Sequence, residues 1–261
     1  MMNIQLYQFE VVLGDVEKNE AKIEHFFKND LRSDTEIVVL PEMWNNGYDL
    51  EHLNEKADHN LGNTTKFISN LARTFNVNVV AGSVSNKKDE GVYNTLIVFN
   101  KQGELIYDYD KIHLVPMLDE PKYLAPGKLL PETFELCQNK MSGIICYDLR
   151  FPEPIRRLAI ECSKVIFVVA EWPESRLYHW RHLNIARAIE NESYIVACNS
   201  CGNDGNTEYA GHSMVIAPNG DVLSEADNQE TTFNVEIDLD KVDEMRNQIP
   251  VFKNRRTDLY S

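Results

Sequence analysis

Basic charge is what this chain has least of. Lysine and arginine number 26 against 41 aspartates and glutamates, a formal net charge of −15 over 261 residues. No basic block is present to neutralise a phosphate backbone, which excludes nucleic acid as a charge-held partner. The same sign disfavours anionic membrane surfaces. Long apolar runs are missing too, and the opening MMNIQLYQFEVVLG has neither the basic leader nor the apolar core of a signal peptide. No membrane association and a cytoplasmic location are therefore expected. Cysteine is sparse: five, at 137, 146, 162, 198 and 201, an odd and scattered count that reads as reduced thiols and not as a disulfide framework.

What is present is an ordinary apolar share of 43%, enough for a proper core. Short β-branched runs alternate with helical patterns. NIQLYQF, EIVVL and VNVVAGSV read as strands, separated by helices over 16–30 and 64–75. After residue 92 the pattern changes to a strand pair turning at Asn100–Gly103, and a similar unit recurs later around Asn219-Gly220. Between them lie a strand into Cys146, a helix near 153–162, the strand KVIFVVA, a helix near 177–192 and the strand YIVACNS. No linker, repeat array or low-complexity run divides the chain, so residues 1–261 read as one α/β domain, with 240–261 as a short helix and an extended arm.

Ligands of open α/β sheets bind beyond the carboxyl ends of strands. Those ends carry Glu42 after EIVVL, Lys111 after ELIYDY, Cys146 after SGII and Glu171 after KVIFVVA. Taken singly, Glu42 fits an exposed loop acid, Lys111 a surface partner of Asp108 or Asp110, and Cys146 a core filler, as Cys137 and Cys162 are expected to be. Cys146 differs from the other cysteines in standing on a turn from strand to helix. Backbone N–H groups at a helix start lower a thiol's pKa, so a reactive thiolate is expected there.

The segments LPEMW, YDKIHL and GIICYDLRFPE resemble the three signature segments of the nitrilase superfamily, the carbon–nitrogen hydrolases, with Glu, Lys and Cys in that order. The likeness runs from IQLYQFEVVLGD to IPVFKNRRTDLY, nearly the whole chain. It implies a four-layer α-β-β-α sandwich of two mixed sheets and a homodimer. It also implies an amidase in which Cys146 attacks the amide carbon and forms a thioester. Glu42 carries protons, and Lys111 with the backbone N–H of Tyr147 meets the oxyanion. Glu120, in the loop after the lysine, is assigned a positioning role toward Lys111 or substrate. This chemistry needs side chains and water, so no cofactor and no metal are expected.

Within that family the chain is most similar to the omega-amidase group, acting on 2-oxoglutaramate and 2-oxosuccinamate, through WPESR, HWRHLNIARAIENESYIVACN and the closing IPVFKNRRTDLY. N-carbamoyl amino acid hydrolysis is the alternative, with a nitrilase or a non-catalytic scaffold behind it. A substrate carboxylate needs a cation, and Arg176 is the candidate, because arginine binds carboxylates in bidentate fashion. Trp172 and Tyr48 are expected as pocket walls and Arg150 as a brace of the turn. Glu171 stands where those relatives carry Asn or a small residue, and an acid there would repel a substrate carboxylate. Three rival readings use other residues. The Cys198–Cys201 spacing lacks the second ligand pair of a zinc site. His179 and His182 lack an accompanying HExxH pattern. Cys–His catalysis through His113 or His212 would make Glu42 and Lys111 dispensable.

Overall fold

The computed structural model describes residues 1–260. The chain opens with β1 (Met2–Gln8), α1 (Val16–Asn29) and β2 (Ile37–Val39), then α2 (Leu53–Lys56), β3 (Asp58–His59) and α3 (Gly62–Phe75). Three strands follow, β4 (Asn78–Lys88), β5 (Gly91–Phe99) and β6 (Leu105–Asp110), before the single turn of α4 (Glu120–Tyr123). The second half runs through β7 (Thr133–Leu136), β8 (Asn139–Ile145), α5 (Pro152–Ile160), β9 (Val165–Ala170), α6 (Leu177–Asn191) and β10 (Tyr194–Asn199). It closes with β11 (Cys201–Asn203), β12 (Glu208–Ala210), β13 (Met214–Ile216), β14 (Val222–Glu225), β15 (Thr231–Ile237) and α7 (Asp240–Gln248).

The strands form two large mixed sheets. One has the order β15-β1-β2-β4-β5-β6, with β3 beside β4; the other runs β14-β13-β10-β9-β8-β7. Their centres are parallel, β1–β2–β4 and β8–β9–β10, and their edges antiparallel. Alternation along the first sheet sorts its two faces. Ile4, Leu6, Val39, Leu96 and Val98 point to the second sheet, whereas Val38, Leu40, Val79, Ile97 and Phe99 point to α1 and α3. Those helices return Ile23, Phe26, Phe27, Ile68 and Leu71, each worth about 1.5–3 kcal/mol when fully buried. On the far side α5 and α6 cover the second sheet with Ile155, Leu158, Trp180 and Ala188. The result is the expected α-β-β-α stack.

The two sheets approach closely. The Cys198 Sγ reaches the main-chain carbonyls of Tyr7 (3.4 Å) and Val39 (3.5 Å) in the opposite sheet. At Gly143 on β8 an added Cβ would come within 2.9 Å of Leu96 Cδ1. Both predicted hairpins are present, β5–β6 and β13–β14, with turns closed by Gly103 N–H to Asn100 O and Gly220 N–H to Ala217 O. Pairings with no counterpart in the sequence reading include β15 against β1, β7 against β8 and the β11–β12 hairpin. The arm after α7 also departs from expectation. It coils into successive turns instead of running extended, because Pro250 and Arg256 carbonyls accept the amides of Asn254, Leu259 and Tyr260. No helix among the described residues is long and apolar enough to cross a membrane.

Candidate active site

The parallel centres of both sheets deliver their carboxyl ends to one place. Glu42 follows β2 on a tight turn made by its neighbour β4. Gly82 has φ +60° at a bulge, and a Cβ there would sit 1.9 Å from Pro41 O, so only glycine lets the two segments touch. Ser83 then anchors the turn, its Oγ accepting from Met43 N–H (3.0 Å), while Trp44 Nε1 donates to Ala81 O (2.7 Å). Lys111 leaves β6 with its N–H on Asn94 O, and Glu120 opens α4. Cys146 stands one residue past β8, at φ +43°.

Glu42, Lys111 and Glu120 are each fully buried and joined. The Lys111 Nζ donates to Glu42 Oε1 (2.9 Å) and to Glu120 Oε1 (2.7 Å). Glu42 Oε1 also accepts from Asn94 Nδ2 (2.8 Å), and its Oε2 accepts from the Glu171 backbone N–H (2.8 Å). Glu120 Oε2 takes the Val115 N–H at 2.7 Å. Burial alone would push the Lys111 pKa down, but Glu120 and Glu42 outweigh it and hold the ammonium above the usual lysine range. A permanent cation thus stands between two carboxylates in a dry site.

Cys146 is buried beside this cluster. Burial, then the charge of Glu42, raises its thiol well above the ordinary cysteine range, while Lys111 opposes the rise. This corrects the expectation of a thiolate stabilised by a helix start. The helix beginning at Cys146 is a five-residue 3-10 turn, and its N-terminal field is outweighed by desolvation and the neighbouring carboxylate. The resting proton is therefore on sulfur, next to an acceptor.

A cleft opens over the thiol, lined by Tyr147, Arg150, Glu171, Trp172 and Arg176, with Leu118 on its apolar side. Trp172 is both wall and core: its ring packs on Trp180, and its Nε1 donates to Arg176 O (2.9 Å). Arg150 corrects the reading of it as a brace only. Its guanidinium lies over the Trp172 ring (4.6 Å) and lines the cleft. Tyr48 is not the plain wall expected, because its hydroxyl donates to Glu120 Oε1 (2.7 Å) and Glu42 Oε1 (3.2 Å).

Three residues of the site were missed from sequence. Asn94 fixes Glu42. Asp148 braces the cysteine turn, its carboxylate accepting from Ile145 N–H, Tyr109 OH (2.9 Å) and His113 N–H. Arg187 clamps the same turn from α6 by donating twice to Leu149 O (3.1 and 2.9 Å). Only Asp148 carried a signal, as an acid two residues after the cysteine at a helix start. None of the rival residues is among the side chains lining the cleft. His113 gives Nδ1 to Asp148 and stacks on Phe151, and His212 faces Glu225. His182 faces the Tyr178 carbonyl, and His179 faces Arg150. Cys201 is pushed up to about 12 by burial. Cys137 is half-buried, but Cys162 is exposed just after α5 and is not core filler.

Two stacked mixed sheets that bring a buried thiol, an ammonium group and two carboxylates to shared strand ends define a hydrolase of the nitrilase superfamily. The chain belongs to the carbon-nitrogen hydrolase family, whose model matches residues 3–247, and it is an enzyme acting on C–N bonds. It is 50% identical to a Staphylococcus aureus protein named "Hydrolase in agr operon", over 99% of this chain and 100% of that one. It is 42% identical to a 2-oxoglutaramate amidase of Bacillus subtilis (98% of each chain) and 32% identical to human omega-amidase (93% of this chain, 91% of that one). Among solved structures, a Xanthomonas campestris CN-hydrolase superfamily protein with an arsenic adduct in its active site superposes with a TM-score of 0.91, at 30% identity over 97% of each chain.

Proposed function

We propose that this hydrolase is an omega-amidase, releasing ammonia from 2-oxoglutaramate or 2-oxosuccinamate through a thioester on Cys146. One observation carries the mechanism: the Lys111 ammonium lies 2.9 Å from Glu42 and 2.7 Å from Glu120, all three sealed from water beside the thiol. Glu42 takes the thiol proton as sulfur attacks the amide carbon, which avoids forming a free thiolate in a dry site. The oxyanion that develops meets the Lys111 charge and the Tyr147 backbone N–H. Glu42 then gives its proton to the departing ammonia. It next draws one from the water that cleaves the thioester, and Cys146 is restored. Glu120 holds Lys111 in place. Arg176 receives the substrate carboxylate.

The names of the 42% and 32% identical relatives support this substrate class. We also place the protein in the cytoplasm, in keeping with five free thiols. A homodimer through α6 accords with the exposure there of Tyr178 (71%) and Ile189 (52%), and sedimentation velocity tests it. Ammonia release from 2-oxoglutaramate, with Cys146→Ala as blank, tests the function. Release lost in the variant is expected. No release by a protein whose Cys146 still alkylates fast would overturn the substrate and turn attention to N-carbamoyl amino acids.

A further inference from the structure

The cleft over Cys146 is lined by two guanidinium groups, Arg150 and Arg176, and a single carboxyl, Glu171. Glu171 is 1% exposed, and its Oε2 has no hydrogen-bond partner. Buried carboxylates are ordinarily held by donors. Three donors near this one are committed elsewhere. From the loop after β2, Tyr48 gives its hydroxyl to Glu120 and Glu42; from the β11–β12 hairpin, Tyr209 gives its own to Asp204 Oδ2 (2.8 Å). Lys111, after β6, is divided between Glu42 and Glu120. Burial first, then the charges of Glu42 and Asp204, hold the Glu171 carboxyl well above the usual range; Glu120 adds to this and Lys111 opposes it. A buried anion without a donor is far costlier than a buried acid.

We propose that Glu171 is a specificity residue that meets substrate as an uncharged carboxylic acid, giving its O–H to an acceptor atom on the acyl part of the bound amide. The inference rests on the amidase reading and deepens it. The site takes a small amide whose chain presents an uncharged oxo or hydroxyl oxygen to Glu171 while its carboxylate goes to a guanidinium. A substrate lacking that oxygen leaves a buried O–H unpaired and is rejected on that account. The same neutrality removes the repulsion of a substrate carboxylate expected from the sequence.

Two measurements on the intact protein test this. The first compares kcat/KM for 2-oxoglutaramate and for glutaric acid monoamide, which lacks the oxo group, in wild type, Glu171→Gln and Glu171→Leu. The preference for the oxo substrate should survive in Gln and fall about tenfold in Leu; an equal preference in all three overturns the proposal. The second follows melting temperature between pH 5 and 8 and needs no substrate. An acid whose folded pKa lies above its unfolded value of 4.5 lends stability that is full below that value and is lost as pH rises. Glu171→Gln should therefore gain on wild type as pH rises. A constant difference means that Glu171 is an anion and overturns the proposal. Failure of wild type to cleave either monoamide strikes the omega-amidase reading alone, and the melting series still decides the proton on Glu171.

Discussion

Cys198 lies in β10 and Cys146 just past the end of β8, the two strands that flank β9 in one sheet, and both are buried with thiols raised by burial. What they face separates them. Cys198 lies within its strand and points at two main-chain carbonyls of the opposite sheet. Cys146 lies one residue beyond its strand, within the electrostatic reach of a carboxylate that is itself tied to a lysine. A weak acid beside carbonyls has nowhere to send its proton. The same acid beside Glu42 has a proton acceptor and, as it ionises, a nearby cation. Under the proposed mechanism burial by itself does not make a sulfur inert, and a low resting pKa is not required to make one useful.

The contrast can be broken at several points. Cys146→Ala should lower kcat/KM by about 10⁴-fold or more, whereas Cys198→Ala should leave it within about twofold and cost about 1–2 kcal/mol of stability. Turnover assays paired with thermal melts check both. Glu42→Gln removes the acceptor but keeps the shape. It should lower kcat by about 10²–10⁴-fold, and the rate of Cys146 alkylation should fall toward that of Cys198. Lys111→Met should lower kcat by about 10²–10³-fold with little change in KM, as steady-state kinetics would show. It leaves two carboxylates facing each other without a cation, so it should also destabilise the fold by about 3–5 kcal/mol. An unchanged kcat would end the oxyanion role. Among the site variants the smallest effect is expected at Asp148→Asn, which keeps one acceptor oxygen but weakens the hydrogen bonds from Ile145, Tyr109 and His113. About tenfold in kcat and a lowered melting temperature should follow.

The strand ends were legible because each reactive residue follows a short β-branched run and is carried in a local motif. Glu42, Lys111 and Cys146 meet because their strands end at one place, and Glu120 joins them from the loop after Lys111, where the family resemblance placed it. Asn94 and Arg187 were not legible, since each acts through a partner 52 or 38 residues away and its own neighbourhood looks like any strand or helix. The edge strand Thr231–Ile237 pairs with a strand more than two hundred residues earlier, and its alternation is mostly polar. The state of the Cys146 thiol was misjudged from sequence because a short helix start is visible locally, whereas the carboxylate that overrides it arrives from the other sheet.

The backbone at Cys146 is left-handed, at φ +43°. Any side chain at this position carries a conformational cost that glycine would not, about 1 kcal/mol. Cys146→Gly should therefore melt above Cys146→Ala by about 2–4 °C. At this position the backbone conformation suits glycine, while the proposed chemistry requires a sulfur that glycine cannot supply.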